Sequence, residues 1–108
     1  MSPTLAWIAL ISAGIFEVVW AYFLKQSDGF SKILPTVFFV ATLTISMVLL
    51  ALSVKIIPIG VAYPIWTGIG AVGSVLIGAL FFGEALTFLS ATFLLMIIVG
   101  IIGLKFFS

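Results

Sequence analysis

Glu17 is the one charged side chain between Met1 and Leu24, set in the apolar stretch "GIFEVVWA" of a 108-residue sequence. No Lys stands within a helical turn of it, so nothing local neutralises the carboxylate. Residues three and four apart are neighbours on a helix, which puts Ala13, Glu17, Trp20 and Leu24 on one side and an indole one turn from the carboxylate. By the same spacing "AYPIWTGIG" carries Tyr63, Trp66, Thr67 and Gly70 on a single stripe. Thr42, Ser46 and Ser53 recur at intervals of four and seven as a thin polar stripe, with Ser46 its cavity-facing member. Together these stripes describe a chamber with a carboxylate floor, aromatic walls and hydroxyls able to orient the carboxylate. Such a chamber suits a cation. Desolvated aromatic faces attract cations by about 2 kcal/mol, and a planar nitrogen cation offers a carboxylate paired hydrogen bonds. A carboxylate that holds either a proton or a cation, but not both, couples their movements. Simpler roles compete: a Glu snorkelling to an interface, Tyr63 and Trp66 as interfacial anchors, and Ser46 as a small packing residue.

The elements that must position these groups follow from composition. Hydrophobic residues make up 65% of the chain and charged ones 6%, against about a quarter charged in soluble domains. Apolar segments run over about Leu5–Leu24, Ile33–Val54, Pro58–Phe82 and Leu86–Leu104, each close to the roughly 20 residues a spanning helix needs. The short connections are "KQSDGFSK", "KII" and "GEA". The runs are too long and unbroken for the alternating strands of a barrel, so an all-α membrane domain of four transmembrane helices is expected over residues 1–108. Nothing basic precedes the first segment, which reads as a retained helix rather than a secretory signal. At mid-membrane a charged side chain costs about 2.5 to 3.5 kcal/mol on insertion scales, which marks Glu17 as a functional residue.

Cys and His are absent. Disulfides, thiol catalysis, histidine bases and Cys or His metal sites are therefore excluded, and the sequence calls for no metal, no cofactor and no enzymatic activity. Four scattered Lys and a net charge of +1 give no basic stripe for nucleic acid. Lys25 and Lys32 fall on one side of the membrane, Lys55 and Lys105 on the other. A tie leaves neither orientation favoured, which points to oppositely inserted copies that pair. One copy also offers too few helices to shield a charge and enclose a solute.

Two signals are set aside. "GIGAVG", residues 68 to 73, matches G-x-G-x-x-G but lacks the preceding strand, the βαβ unit and the later acidic residue that a dinucleotide site requires. The glycines read into the third helix, Gly60, Gly68, Gly70, Gly73, Gly78 and Gly83, instead allow close helix contact and bending. Glu84 follows the helix-ending Gly83 and is expected to favour the N-terminus of the fourth helix through its dipole.

The residues resemble the small multidrug resistance transporters over the whole chain. The likeness rests on "EVVW" with "LK" and "GF" following, Pro35 opening the second helix, "IPIGVAYPIWTGIGAVG" in the third and "GIIGLK" at the end. Within that family "GIFEVVWA", Ser46 in "TISMVLL", "WTGIGAVG" and "GIIGLK" are similar to the guanidinium exporter subtype; the multidrug subtype has a small residue where Trp20 stands. The resemblance implies an antiparallel dual-topology homodimer in a bacterial inner membrane that exchanges protons for a small organic cation by alternating access. It implies Glu17 as the shared proton and substrate site, with Trp20, Ser46, Tyr63 and Trp66 lining the pocket. Flexibility falls to the third helix at Gly60, Pro64, Gly68 and Gly70, and dimer contact to the fourth at Gly100 and Gly103. The chain departs from the subtype at Val61 and Pro64, where Thr and Ala are expected. Pro64 removes a backbone donor and crowds the Gly60 carbonyl, which loosens the helix beside Tyr63. Export of hydrophobic quaternary ammonium cations, half of a heterodimeric exporter, and a non-transporting membrane subunit remain as alternatives.

Overall fold

The computed structural model describes the whole chain, Met1 to Ser108, as four helices: α1 (Pro3–Gln26), α2 (Ile33–Ser53), α3 (Ile59–Phe81) and α4 (Phe88–Phe107). Each is long and apolar enough to cross a membrane, as the composition requires. Their ends differ from the limits of the apolar runs because polar caps extend or delay them. α1 begins at Pro3, where the missing N–H costs nothing, and the Ser2 hydroxyl accepts from the Leu5 N–H at 3.2 Å. α4 begins only at Phe88, capped by the Thr87 hydroxyl, which accepts from the Ser90 N–H at 3.1 Å.

That start corrects the role expected of Glu84, which lies too far ahead of α4 to complement its dipole. Gly83 stands outside α3 with a left-handed φ of 65°, a conformation that glycine adopts without steric cost. The chain turns there, the Glu84 N–H donates to the Gly78 carbonyl at 3.0 Å, and the Glu84 carboxylate lies against Gly78.

Side-chain contacts fix the directions. α1 and α2 are antiparallel, with Phe23 against Phe38 and Ser46 against Ala13. α1 and α3 are parallel: Gly14 abuts Ile69, Glu17 abuts Gly70 and Val18 abuts Gly73. α4 packs on α3, placing Ile97 and Ile101 over Gly68, and near its end Lys105 stands over the Trp7 ring at 5.4 Å. The helices thus stand in the spatial order α2, α1, α3, α4. The core, formed by Ala6, Leu10, Ala13, Leu50, Ile57, Ala62, Ile65 and Trp66, occupies the end of the slab below Glu17.

The slab measures 39 × 35 × 17 Å, only 16 of its 108 residues are buried, and none of those belongs to α4. Since lipid is as apolar as the core, these helices are held by close packing around small residues. Gly73 tests this. A Cβ there would fall on the side chain of Val18, whose χ1 is stiff in a helix, so Gly73→Ala is expected to force α1 and α3 apart at a cost of about 1–3 kcal/mol. Gly60 has open space where its Cβ would be, and Gly60→Ala is expected to be neutral or slightly stabilising. Thermal unfolding of the two detergent-solubilised variants checks both signs.

Candidate functional site

Glu17 lies past the midpoint of α1, one turn beyond the buried Ala13, on the side that meets α3. It lies there against a glycine: a Cβ built on Gly70 would fall on the Glu17 carboxylate. Glu17 Oε2 is buried and accepts no hydrogen bond, and Trp20 Nε1, one turn further along, is buried without an acceptor. Each open group costs about 1–3 kcal/mol when left without a partner, so a donor and an acceptor stand unused one helical turn apart on α1. The Trp20 ring packs edge-on against Phe39 of α2, with centroids 5.8 Å apart and planes at 77°.

The other expected residues divide. Ser46 is fully buried and joins three helices: its hydroxyl donates to the Ala13 carbonyl at 2.7 Å and accepts from Trp66 Nε1 at 3.0 Å. It therefore does not orient the carboxylate. Its hydrogen bonds instead fix the backbone one turn before Glu17. Ser53 and Thr42, on the same stripe, satisfy themselves locally, with Ser53 donating to the Leu50 carbonyl and Thr42 to the Phe38 carbonyl, each at 2.7 Å.

On α3 the single stripe splits. Trp66 is 7% exposed and Gly70 is buried toward α1, whereas Tyr63 is 52% exposed and Thr67 is also open. Two positions four apart differ by about 40° around a helix, so a stripe four residues wide straddles the edge of the contact with α1. Tyr63 still touches the site through Trp66, their ring centroids 5.4 Å apart. Pro64 faces outward, and α3 continues across it. Gly100 and Gly103 look onto open space.

Sequence reading puts Gly70 on the stripe of Tyr63 and Trp66 and among the flexible positions of α3, but not opposite Glu17, and it passes over Phe39. Gly70 as the residue opposite Glu17 depends on the rotation of α3, which no local pattern encodes. Phe39 was within reach, because it lies seven residues before Ser46 on the same stripe; a search for polar groups alone passes over it. A cleft of about 510 Å³ is lined by Trp7, Ile11, Ser12 and Lys105 rather than by Glu17.

Residues 5–106 match the family model described as Small Multidrug Resistance protein. The chain is 46% identical over 101 residues to a protein of Escherichia coli (strain K12) named Guanidinium exporter, covering 94% of this chain and 96% of that one. A protein of the same name from Salmonella typhimurium has the same identity and coverage. The one from Yersinia pestis is 44% identical over 104 residues, which are 96% of this chain and all of that one. Similarity of this extent, on four apolar spans, makes the chain a member of the Small Multidrug Resistance family, a multi-pass transport protein of the bacterial inner membrane and not an enzyme.

Proposed function

We propose that this protein exports guanidinium and related small guanidinyl cations in exchange for protons, acting as an antiparallel dual-topology homodimer in which Glu17 is the shared proton and substrate site. The observation that carries the reading is the Glu17 carboxylate, held mid-span against Gly70 with a buried oxygen that has no hydrogen-bond partner. A planar guanidinium presents paired N–H donors to such a carboxylate while its face meets an indole. Trp20, Ser46, Tyr63 and Trp66 line the pocket, Trp20 as the wall that keeps it narrow. The names of the relatives support the same substrate.

A second copy supports the chemistry for two reasons. A slab only 17 Å through, whose fourth helix buries no residue, is too thin to enclose a solute, and two oppositely inserted copies reproduce the inverted repeats from which transporters build a midplane site. The tied lysines, Lys25 and Lys32 against Lys55 and Lys105, permit both insertions. In this arrangement Gly100 and Gly103 on the unburied α4 pack against the other copy. Gly60, Pro64, Gly68 and Gly70 let α3 bend as the site opens to alternate sides. Because proton and cation occupy one carboxylate in turn, inward proton flow drives cation outward.

Transport into proteoliposomes under a pH gradient, comparing guanidinium with tetraethylammonium, tests the substrate; C-terminal reporters active on opposite sides of the membrane test the topology. Preference for guanidinium and signal from both sides are expected. Uptake of tetraethylammonium alone would favour a quaternary ammonium exporter, and signal from one side alone would favour a heteromeric assembly. In the same assay Trp20→Gly is expected to shift preference toward the bulkier ion by about tenfold, the scale on which a pocket discriminates by size. A parent-like ratio would show that Trp20 is not a wall of the pocket.

A further inference from the structure

The connection between α1 and α2 holds three successive residues in the left-handed region: Asp28 (φ 49°), Gly29 (φ 69°) and Phe30 (φ 66°). Glycine adopts this region freely and Asp tolerates it, but a bulky aromatic there is a true outlier. Burial does not explain Phe30, which is 55% exposed.

The surrounding hydrogen bonds hold it in place. Ser27, fully buried, donates its hydroxyl to the Leu24 carbonyl at 2.7 Å and accepts the Phe30 N–H at 3.2 Å. The Ser27 carbonyl accepts the Lys32 N–H at 3.1 Å, closing the turn around Phe30. What this backbone delivers is a ring on Phe39, with centroids 5.5 Å apart, and Phe39 in turn meets Trp20 edge-on at 5.8 Å. Three rings from three segments thus run from the loop to the pocket wall. Strained backbone persists only where its surroundings over-determine it, and it gathers where position matters. Trp20 has no hydrogen bond to orient its indole, so ring contact is the visible restraint on that side.

We propose that Phe39 is a positioning residue for Trp20, backed by Phe30 of the α1–α2 loop, and that this column of rings sets the selectivity of the cation pocket for small planar ions. The inference rests on the exporter reading above. It adds that discrimination by Trp20 depends on two residues that do not touch the substrate. Losing Phe39 frees the indole to swing toward α2, widening the pocket without altering Glu17.

The test compares the parent, Phe39→Ala, Phe39→Tyr, Phe30→Ala and Phe38→Ala as purified, reconstituted protein. In Phe39→Ala the KM for guanidinium should rise about three- to tenfold with little change in maximal rate, and the guanidinium to tetraethylammonium ratio should fall by a similar factor, the size that one edge-to-face ring pair supports. Phe39→Tyr keeps the ring and should restore the ratio, while Phe30→Ala should change it in the same direction by less. Phe38, whose ring meets Phe23 instead, serves as the control, and Phe38→Ala should behave as the parent does. Fluorine NMR of fluorotryptophan-labelled protein, with the Trp20 signal assigned by Trp20→Phe, reads the indole without transport. That signal should shift or broaden in Phe39→Ala and not in Phe38→Ala. A parent that transports guanidinium while Phe39→Ala leaves the signal or the ratio unmoved overturns this proposal alone. A parent that transports neither ion overturns the exporter reading and this proposal together.

Discussion

Purified Glu17→Gln protein is expected to fold and reconstitute at normal yield, yet to show no guanidinium movement in response to a pH gradient. The amide has the shape of the carboxylate and is cheaper to bury, so the packing against Gly70 survives the change. What is lost is the charge. A charge-assisted hydrogen bond contributes about 1.5–3 kcal/mol, so guanidinium affinity should fall by about ten- to a hundredfold or more. The sign of the pH effect is the sharper readout. If proton and cation compete for one carboxylate in the parent, as proposed, binding should weaken as pH falls, and by linkage bound cation should displace the proton. In Glu17→Gln the residual binding should be flat between mildly acidic and alkaline pH. Intact, still pH-dependent binding by the variant would mean that the carboxylate serves structure and that exchange takes place elsewhere.

Gly70→Ala should produce nearly as large a loss of transport by a different route. The added methyl falls on the Glu17 carboxylate, the far end of a flexible side chain, which moves to another rotamer rather than forcing the helices apart. The protein should therefore remain as heat-stable as the parent, unlike Gly73→Ala, where the obstacle is the stiff Val18. Because misplacing a reacting group by about 1 Å can cost on the order of a hundredfold, guanidinium transport should drop by that order. Both changes act through one carboxylate, so Glu17→Gln combined with Gly70→Ala should be no worse than Glu17→Gln alone. Additive losses in the double variant, or parent-like transport by Gly70→Ala, would show that Gly70 does not shape the Glu17 site.

Much of this protein is written locally. The excess of apolar residues places it in a bilayer, and the lengths of the apolar runs give four spans, because backbone polar groups in hydrocarbon leave few alternatives to helices. The isolation of Glu17 marks it as a candidate site for the same reason: a charge in hydrocarbon is costly to keep. Adjacency on one helix, such as Glu17 with Trp20, also follows from the helical period alone. Helix ends were legible only in part, since the caps Ser2 and Thr87 are polar and lie outside the apolar runs.

The tertiary structure decided everything that depends on how one helix is turned against the next. It placed Gly70 opposite Glu17, divided Trp66 from Tyr63 on what had read as one stripe, gave the Ser46 hydroxyl to the Ala13 carbonyl, folded Glu84 back onto Gly78, and set Phe39 against Trp20. In a soluble protein an apolar face would reveal those rotations, because water separates inside from outside. In a bilayer the lipid is as apolar as the core, so hydropathy is blind to helix orientation, and the rotation of each helix is settled by the fit of glycines, rings and a few hydroxyls between chain segments far apart in sequence.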